Sequence, residues 1–525
     1  MTLNLQNTIN VLDSRQTQVA DSTFLAGLED ANSDEVCQLL RGILDLLNCD
    51  ACDESNLARV IRNLQSKSVP WAAPANDSPQ DLLSQLYLAI SEESPLRHLP
   101  LAVLASQQDA DCLRQFAELL VEHPLARPEA LVEVFAPLMR SRQADLSPLF
   151  PRLLDALQHP VAAAVVLDVA NYLSVTGQIP EHPAESRRDQ LLELFTRLIE
   201  QLERFEESSA TYGVKDLEAA QTVTESIGLA ISLSYALSLM NETRAIGGLN
   251  RMMDLSHRRL RVEAAASLAR LQEEAGVETL VSLASEPSVR LTVLAYAQEQ
   301  GLLEKIDPQF RSNVARAEAE LVRVLSEPSQ YGYPPSECEL LESRELSWPS
   351  YDEPIECYLF RFSYTLPTGE HTNIGIAGPA THAFASDLSE LPAEFIFAAF
   401  AGWQTEHEEI QEIEIDPANP HQATEVERFT RRLSDRGFVE ITPAFIGVFF
   451  GARSLIAEAQ SEGQAGFAIV SDVDFAWLPQ ARSSRSITPE LAYSIYKGQQ
   501  LLRTFNPDFE ADQRTSSDQE ESELG

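Results

Sequence analysis

Lysine is nearly missing from this chain. Only Lys67, Lys215, Lys305 and Lys497 stand among 525 residues, and 39 basic side chains face 80 acidic ones, leaving a formal net charge of −41. A nucleic-acid binder needs a basic stripe to displace counterions from phosphate, so no nucleic-acid partner is expected. An anionic membrane surface is excluded on the same ground. A strongly acidic surface keeps a chain soluble and repels non-specific contacts, and a salty habitat would favour the same composition.

Cysteine is scarce too. Six in a chain of this length do not make a disulfide scaffold. Cys49 and Cys52 form a lone Cys-x-x-Cys in "NCDACDE". Neither Cys37 nor Cys112 adds a second pair at zinc-ligand spacing, and the surroundings read as helical, without the strand that a thioredoxin-like motif needs. Unrelated, reduced thiols are expected. The opening "MTLNLQNTINVLDSRQ" has neither a basic start nor an apolar run, so it does not read as a signal peptide. The most apolar stretch, Ile227 to Met240, is broken by Ser232, Ser234 and Ser238 and reads as too short to span a bilayer. A cytoplasmic location is the expectation.

Familiar catalytic motifs are missing as well. There is no G-x-x-x-x-G-K-[ST], no G-x-G-x-x-G and no G-x-S-x-G, and His407-Glu408-Glu409 lacks the second histidine of H-E-x-x-H. Weaker groupings remain. His371, His382, His407 and His421 fall in one C-terminal region without tight ligand spacing. Glu412, Glu414 and Asp416 alternate in "EIEID", which fits paired carboxylates or, in so acidic a chain, a solvated strand face. Asp472 and Asp474 form a D-x-D pair with no nucleotide signature beside it. The glycines of "NIGIAGP" (Asn373 to Pro379) allow close backbone approach to a ligand, but in a strand they more often mark a bulge or tight packing. No catalytic residue, cofactor or metal ligand is assigned from these.

What is present over roughly the first 330 residues is helical periodicity. In "SPQDLLSQLYLAI", Ser78 is a candidate N-cap, Pro79 fits the first helical position, and Asp81 suits the positive end of the dipole. Leu82, Leu86 and Ile90 then share a face. Pro128 to Met139, Leu149 to Leu173 (two helices joined at His159-Pro160), "DQLLELFTRLIEQLERF" and Asp216 to Met240 continue the series.

Residues Arg244 to Leu271 bring repetition. One helix ends near Leu255 with Ile246, Leu249, Met252 and Met253 inward. After a Ser256-His257 turn, Arg259 to Leu271 carries the stripe Leu260, Ala264, Leu268 and Leu271. The cycle repeats with Val277, Leu280, Val281 and Ala284, a Glu286-Pro287 turn, and Val289, Val293, Leu294 and Ala297. Leu260-Arg261 and Val289-Arg290 lie about 29 residues apart, within the range of helical repeats.

An "AIGGL" helix, a short turn, then an apolar-Arg pair leading into an Ala-rich helix resembles the short HEAT repeats also seen in phycobilisome-lyase proteins. The likeness covers Thr243 to about Gly301, with a looser echo over Leu149 to Leu173. It implies an armadillo-like, right-handed superhelix of antiparallel helix pairs, usually a protein-binding scaffold. Some relatives act on bilin chromophores, to which nothing in these residues points.

Near residue 328 "EPSQYGYPPSE" reads as a linker. Beyond it, Pro354 to Leu366 alternates with period two. Tyr358, Phe360, Phe362 and Tyr364 take one face; Cys357 and Leu359, then Arg361 and Ser363, take the other. "PTGE" reads as a turn into a partner strand. A helix (Pro392 to Trp403), a strand (Ile410 to Ile415), a helix (Ala423 to Arg436), strands at Ala444 to Phe450 and Phe467 to Trp477, and a helix from Pro489 to Arg503 follow. The expected fold is therefore mostly α: a helical region over 1–75, a HEAT-like helical-repeat solenoid over 76–328, a linker over 329–353, an α+β domain over 354–508, and a disordered acidic tail over 509–525.

The function expected is a non-catalytic scaffold for other proteins or peptides. The alternative is an enzyme or small-ligand domain in the C-terminal part, with the solenoid as its targeting arm. In "HRRLR", Arg258 and Arg259 sit at a turn and are candidate partner-binding residues. Arg261 and Arg290 occupy equivalent repeat positions and are expected to be structural, bonding carbonyls or acids of a neighbouring repeat, with Asp254 a local candidate.

Overall fold

A computed structural model describes residues 4–15, 25, 27–28, 31–66, 78–107, 109–140, 145–212, 217–348, 351–367, 369–378, 381–383, 388, 391–480 and 487–506. The stretch 509–525, expected as a disordered tail, lies outside the described residues. The chain divides into two compact units, Met1–Ser282 and Leu283–Gly525. The coarse expectation holds: a helical first part is followed by an α+β region with two antiparallel sheets.

The first unit opens with α1 (Leu5–Leu12), α2 (Ser33–Asn48), α3 (Glu54–Gln65), α4 (Pro79–Ala89), α5 (His98–Gln107) and α6 (Ala110–Glu122). It continues with α7 (Pro128–Arg140), α8 (Pro160–Val175), α9 (Arg188–Tyr212), α10 (Leu217–Leu239), α11 (Ile246–Asp254) and α12 (Arg258–Arg270). α13 (Glu274–Leu283) reaches the boundary. The starts follow from capping chemistry. Ser78 and Asp81 close a reciprocal capping box with Pro79 in the first turn of α4. Asn32 and Glu35 do the same for α2, and Asp53 and Asp109 cap α3 and α6.

Helices pack on near neighbours in the chain. α2 packs on α4 and α4 on α6. α3 packs on α5, α5 on α7, α7 on α8, α8 on α10, and α10 on α12. Hairpin partners such as α11 and α12 also pack together. One buried apolar core results, running from Val11 to Leu271. It holds the Leu260, Ala264, Leu268 and Leu271 stripe. Ion pairs join neighbouring segments: Arg152 reaches Glu118 and Glu122 of α6 and, within its own turn, Asp155, which Arg187 reaches as well.

α10 corrects the reading of the apolar stretch. It runs 23 residues, and its window Thr222–Leu239 is long and apolar enough to cross a membrane by length and composition. Its Leu229, Ala230, Leu233, Ala236 and Leu237 are buried in the helical core.

The second unit begins earlier than residue 329. It takes in α14 (Pro287–Glu299), α15 (Pro308–Arg311) and α16 (Asn313–Leu325) before β1 (Glu337–Leu346), β2 (Ile355–Leu366), β3 (Gly369–Ala377), β4 (His382–Ala383) and α17 (Ala393–Gln404). Then come β5 (Ile410–Glu414), α18 (Pro420–Asp435), β6 (Val439–Phe449), β7 (Ala452–Ser461), β8 (Gln464–Ser471), β9 (Phe475–Pro479) and α19 (Pro489–Phe505). The stretch 329–353 is therefore not simply a linker, because it contains β1. Its strand escapes notice because Glu337 to Glu345 is exposed or half-buried throughout, with no apolar alternation.

The strands form two antiparallel sheets, ordered β1-β2-β3-β4 and β5-β6-β7-β8-β9. Tyr358, Phe360, Phe362 and Tyr364 pack with Leu321 and Leu325 of α16. That contact explains why α16 belongs with the sheets. Cys357 and Leu359 face the other way, into a core shared with Ile374, Ile376, α17, α19, and Phe445, Ile456, Phe467 and Ile469 of the second sheet. α18 covers the remaining face of the second sheet through Phe429 and Leu433.

The unit is thus built twice. Helix, four-stranded meander and helix occur as α16-β1-β2-β3-β4-α17 and again as α18-β6-β7-β8-β9-α19. α17 and α19 meet reciprocally. A Cβ on Gly402 would lie 1.7 Å from the Ser494 carbonyl oxygen, and one on Gly498 would lie 1.7 Å from that of Ala398. Residue pairs exchanged in this way are the mark of a two-fold relation. Phe397 and Tyr493, Phe400 and Tyr496, and the two glycines then occupy matching positions.

Candidate functional site

α8, α10 and α12 lie in succession, and a chain of polar bonds joins the first two. Asp168 and Asn171 sit three residues apart on α8, so they share a face. The Ser232 hydroxyl on α10 donates to Asp168 at 2.7 Å, and Asn171 Nδ2 donates to the Ser232 carbonyl at 3.1 Å. His182 Nε2 lies 2.9 Å from Asn171 Oδ1, and its Nδ1 accepts from the Ala184 amide at 3.2 Å. Both ring nitrogens are used, which assigns a neutral imidazole with the proton on Nε2. Burial holds the His182 pKa down to about 4.

Arg259 brings the third helix in. It is exposed in the first turn of α12, and its charge acts on both Asp168 and His257. Asp168 reaches solvent along one side. Crowding by the helices still holds its pKa above the ordinary value, with the Ser232 bond and the Arg259 charge pulling the other way. His257, exposed at the turn, caps α12 by accepting from the Leu260 amide, and partial desolvation of its ring beside the helix start, with the Arg259 charge, lowers its pKa. Arg258 beside it is exposed. The result is a mixed-charge surface carrying exposed Asp168, Arg258 and Arg259, with the buried Ser232 holding Asp168 in place from below.

The other named residues go elsewhere. Arg290 is 3% exposed. Its guanidinium donates to the carbonyls of Ala284 (2.8 Å), Ser285 (3.2 Å) and Ala315 (2.7 Å) and pairs with Glu318 at 2.5 Å. It ties the turn before α14 to α16. Arg261 is half-buried on α12, and Asp254 is exposed at the end of α11. Arg251 pairs with Glu203, and Arg244 pairs with Asp189 and Glu242.

In the second unit the suspected ligand groups disperse. His371 lies 3.2 Å from the Tyr331 hydroxyl, His382 stacks on Trp403, and His407 rests against Phe450. Asp472 pairs with Arg428 and Arg432, whereas Asp474 bonds Gln500. Gly375 of "NIGIAGP" is a packing glycine, since a Cβ there would meet Leu321 at 2.7 Å. Among the described residues no three His, Cys, Asp or Glu side chains gather where a metal ion could be held. Cys52 is pushed up to about 11 by burial and Cys49 is exposed; both are free thiols.

Two features had no clear sequence signal. An open cleft of about 610 Å³ is lined by Asn313, Arg316 and Glu320 of α16, by Glu356 and Tyr358 of β2, and by Leu291 among its apolar residues. Its lining is spread over 90 residues of chain, so spacing alone does not reveal it. The Tyr358 hydroxyl donates to Glu356 and Asn313 Nδ2 donates to the same carboxylate at 3.1 Å; the tyrosine bond first and the amide second hold Glu356 below the usual carboxylate range. Lys497, 8% exposed, lies 5.0 Å from the centre of the Tyr493 ring, and burial lowers its pKa.

No protein-family model, no curated protein and no solved structure matches the chain.

Proposed function

We propose that the chain is a non-catalytic interaction scaffold, with its helical part acting as a HEAT-like solenoid that binds other proteins or peptides in the cytoplasm. The observation that carries this reading is the near-neighbour packing of α2 through α12 around one continuous core. Stacked repeats bury their apolar faces against adjacent repeats and leave an extended surface for recognition. The strip formed by exposed Asp168, Arg258 and Arg259, with Ser232 bonding Asp168 from beneath, is the proposed contact. It spans α8 and α12, both packed on α10, and presents charges of both signs, which suits a polar peptide better than a nucleic acid.

The test is affinity purification of the full chain beside an Arg258→Glu/Arg259→Glu variant. A partner present in stoichiometric amount with the first and lost with the second supports the reading. Equal recovery removes the strip from it.

The second reading is a small-ligand site in the C-terminal unit. The Asn313, Arg316, Glu356 and Tyr358 cleft favours it, because several polar groups converge in one concavity. Metabolite binding that is abolished by Glu356→Gln, with no partner recovered, would make it the better account.

A further inference from the structure

The second sheet shows how this repeated unit covers the edge of its first strand. β5 lies antiparallel to β6, with Ile410 opposite Phe449 and Glu414 opposite Phe445. β1 is the counterpart of β6 in the first half, and it is the end strand of its sheet. Among the described residues no strand pairs with the other edge of β1, so ten residues of main chain are presented edge-on. An uncovered strand edge is a template for another strand.

We infer that β1 accepts an extended, basic peptide as an additional antiparallel strand, in the place that β5 fills in the second sheet. Charge selects the occupant. β1 reads ECELLESREL; Glu337, Glu339 and Glu345 are exposed and Glu342 is half-buried. Arg344 pairs with Glu342 and Arg361 of β2 pairs with Glu339, so four acids face two cations and the edge stays acidic. Leu340 and Leu341 are 38% and 36% exposed. A strand that alternates cationic and apolar side chains meets both features.

The other occupants are disfavoured by the same charge. A second copy of β1 would set glutamate against glutamate, and like charges directly opposite are destabilising. The chain's own C-terminal stretch starts nearby, since Asn506 bonds both main-chain groups of Ser347, at 2.7 and 3.0 Å. Yet "EADQRTSSDQEESELG" carries one arginine against a run of acids, so it would be repelled. The bulge between Leu340 and Glu342 twists the edge away from flat sheet-on-sheet pairing, which discourages aggregation. This inference concerns a different surface from the helical strip and does not depend on it.

The test titrates the full chain with a fluorescent, end-blocked alternating Lys-Val octapeptide. The control is the same peptide N-methylated at alternate residues, which keeps its charge and removes main-chain donors on one edge. The expected result is saturable binding that weakens at least tenfold on methylation and at least tenfold in a Glu337→Lys/Glu345→Lys variant of unchanged Tm. Four outcomes overturn the inference. They are no saturable binding, equal binding of both peptides, concentration-dependent pairing of the chain through β1, or binding that appears only after residues 507–525 are removed.

Discussion

Gly402 of α17 and Ser494 of α19 approach so closely that a methyl group on the glycine would overlap the serine carbonyl oxygen. The mirrored contact, Gly498 against Ala398, makes the helix pair the centre of the C-terminal unit. Its two sheets meet on the core these helices fill.

Gly402→Ala and Gly498→Ala should therefore each destabilise the chain by about 1–3 kcal/mol through overpacking, although alanine is the better helix former. Gly228, inside α10 with open space around it, is the control. Gly228→Ala should stabilise by about 0.5–1 kcal/mol. Urea unfolding of the three variants checks both directions.

Arg290 should matter for stability where Arg259 does not. Truncating Arg290 leaves buried carbonyls and Glu318 without their donor, at a cost of about 3 kcal/mol. Arg290→Lys should rescue little, because an ammonium cannot reproduce the fork. Arg259→Ala, at an exposed position, should change stability by less than about 0.5 kcal/mol. Thermal unfolding distinguishes the three.

His182 gives the first unit an acid-sensitive joint. Its pKa falls from the ordinary 6.5 to about 4 on folding. The unfolded chain therefore takes up the proton first, and stability is full above pH 6.5 and declines as pH falls toward 4. His182→Asn should be less stable at neutral pH but should flatten that slope. Tm measured between pH 7 and 4 reports it.

Glu242 acts in a lower window. The Arg244 side-chain bond leads the groups that hold its pKa at about 2, against an ordinary 4.5. Its stabilisation is complete above pH 4.5 and disappears as pH falls through 2. Glu242→Gln should lower Tm at neutral pH and bring the variant level with the parent by pH 2. Calorimetry at pH 6, 4 and 2 is the check.

Much of the helical part is legible in the sequence because its signals are local. Ser78, Pro79 and Asp81 announce α4, and the Leu260 to Leu271 stripe announces α12. The sheets are less so. β7 contains Leu455, Ile456, Ala457 and Ala459 among polar residues, a mixture with neither period, because both of its faces are buried. The duplication hides because matched positions keep size and polarity rather than identity, as with Phe397 and Tyr493. Arg290 is marked by the repeat, yet its carbonyl partners are main-chain groups that no spacing rule points to. The Asp168–Ser232 bond joins residues 64 apart and needs the stacking of α8 on α10 to exist.

The central claim is that a partner binds the helical strip. Hydrogen exchange of the full chain, with and without its purified partner, tests it most directly. The account predicts slowed exchange at the first turn of α12 and along the facing parts of α8 and α10. Protection confined to residues 337–506 would contradict it.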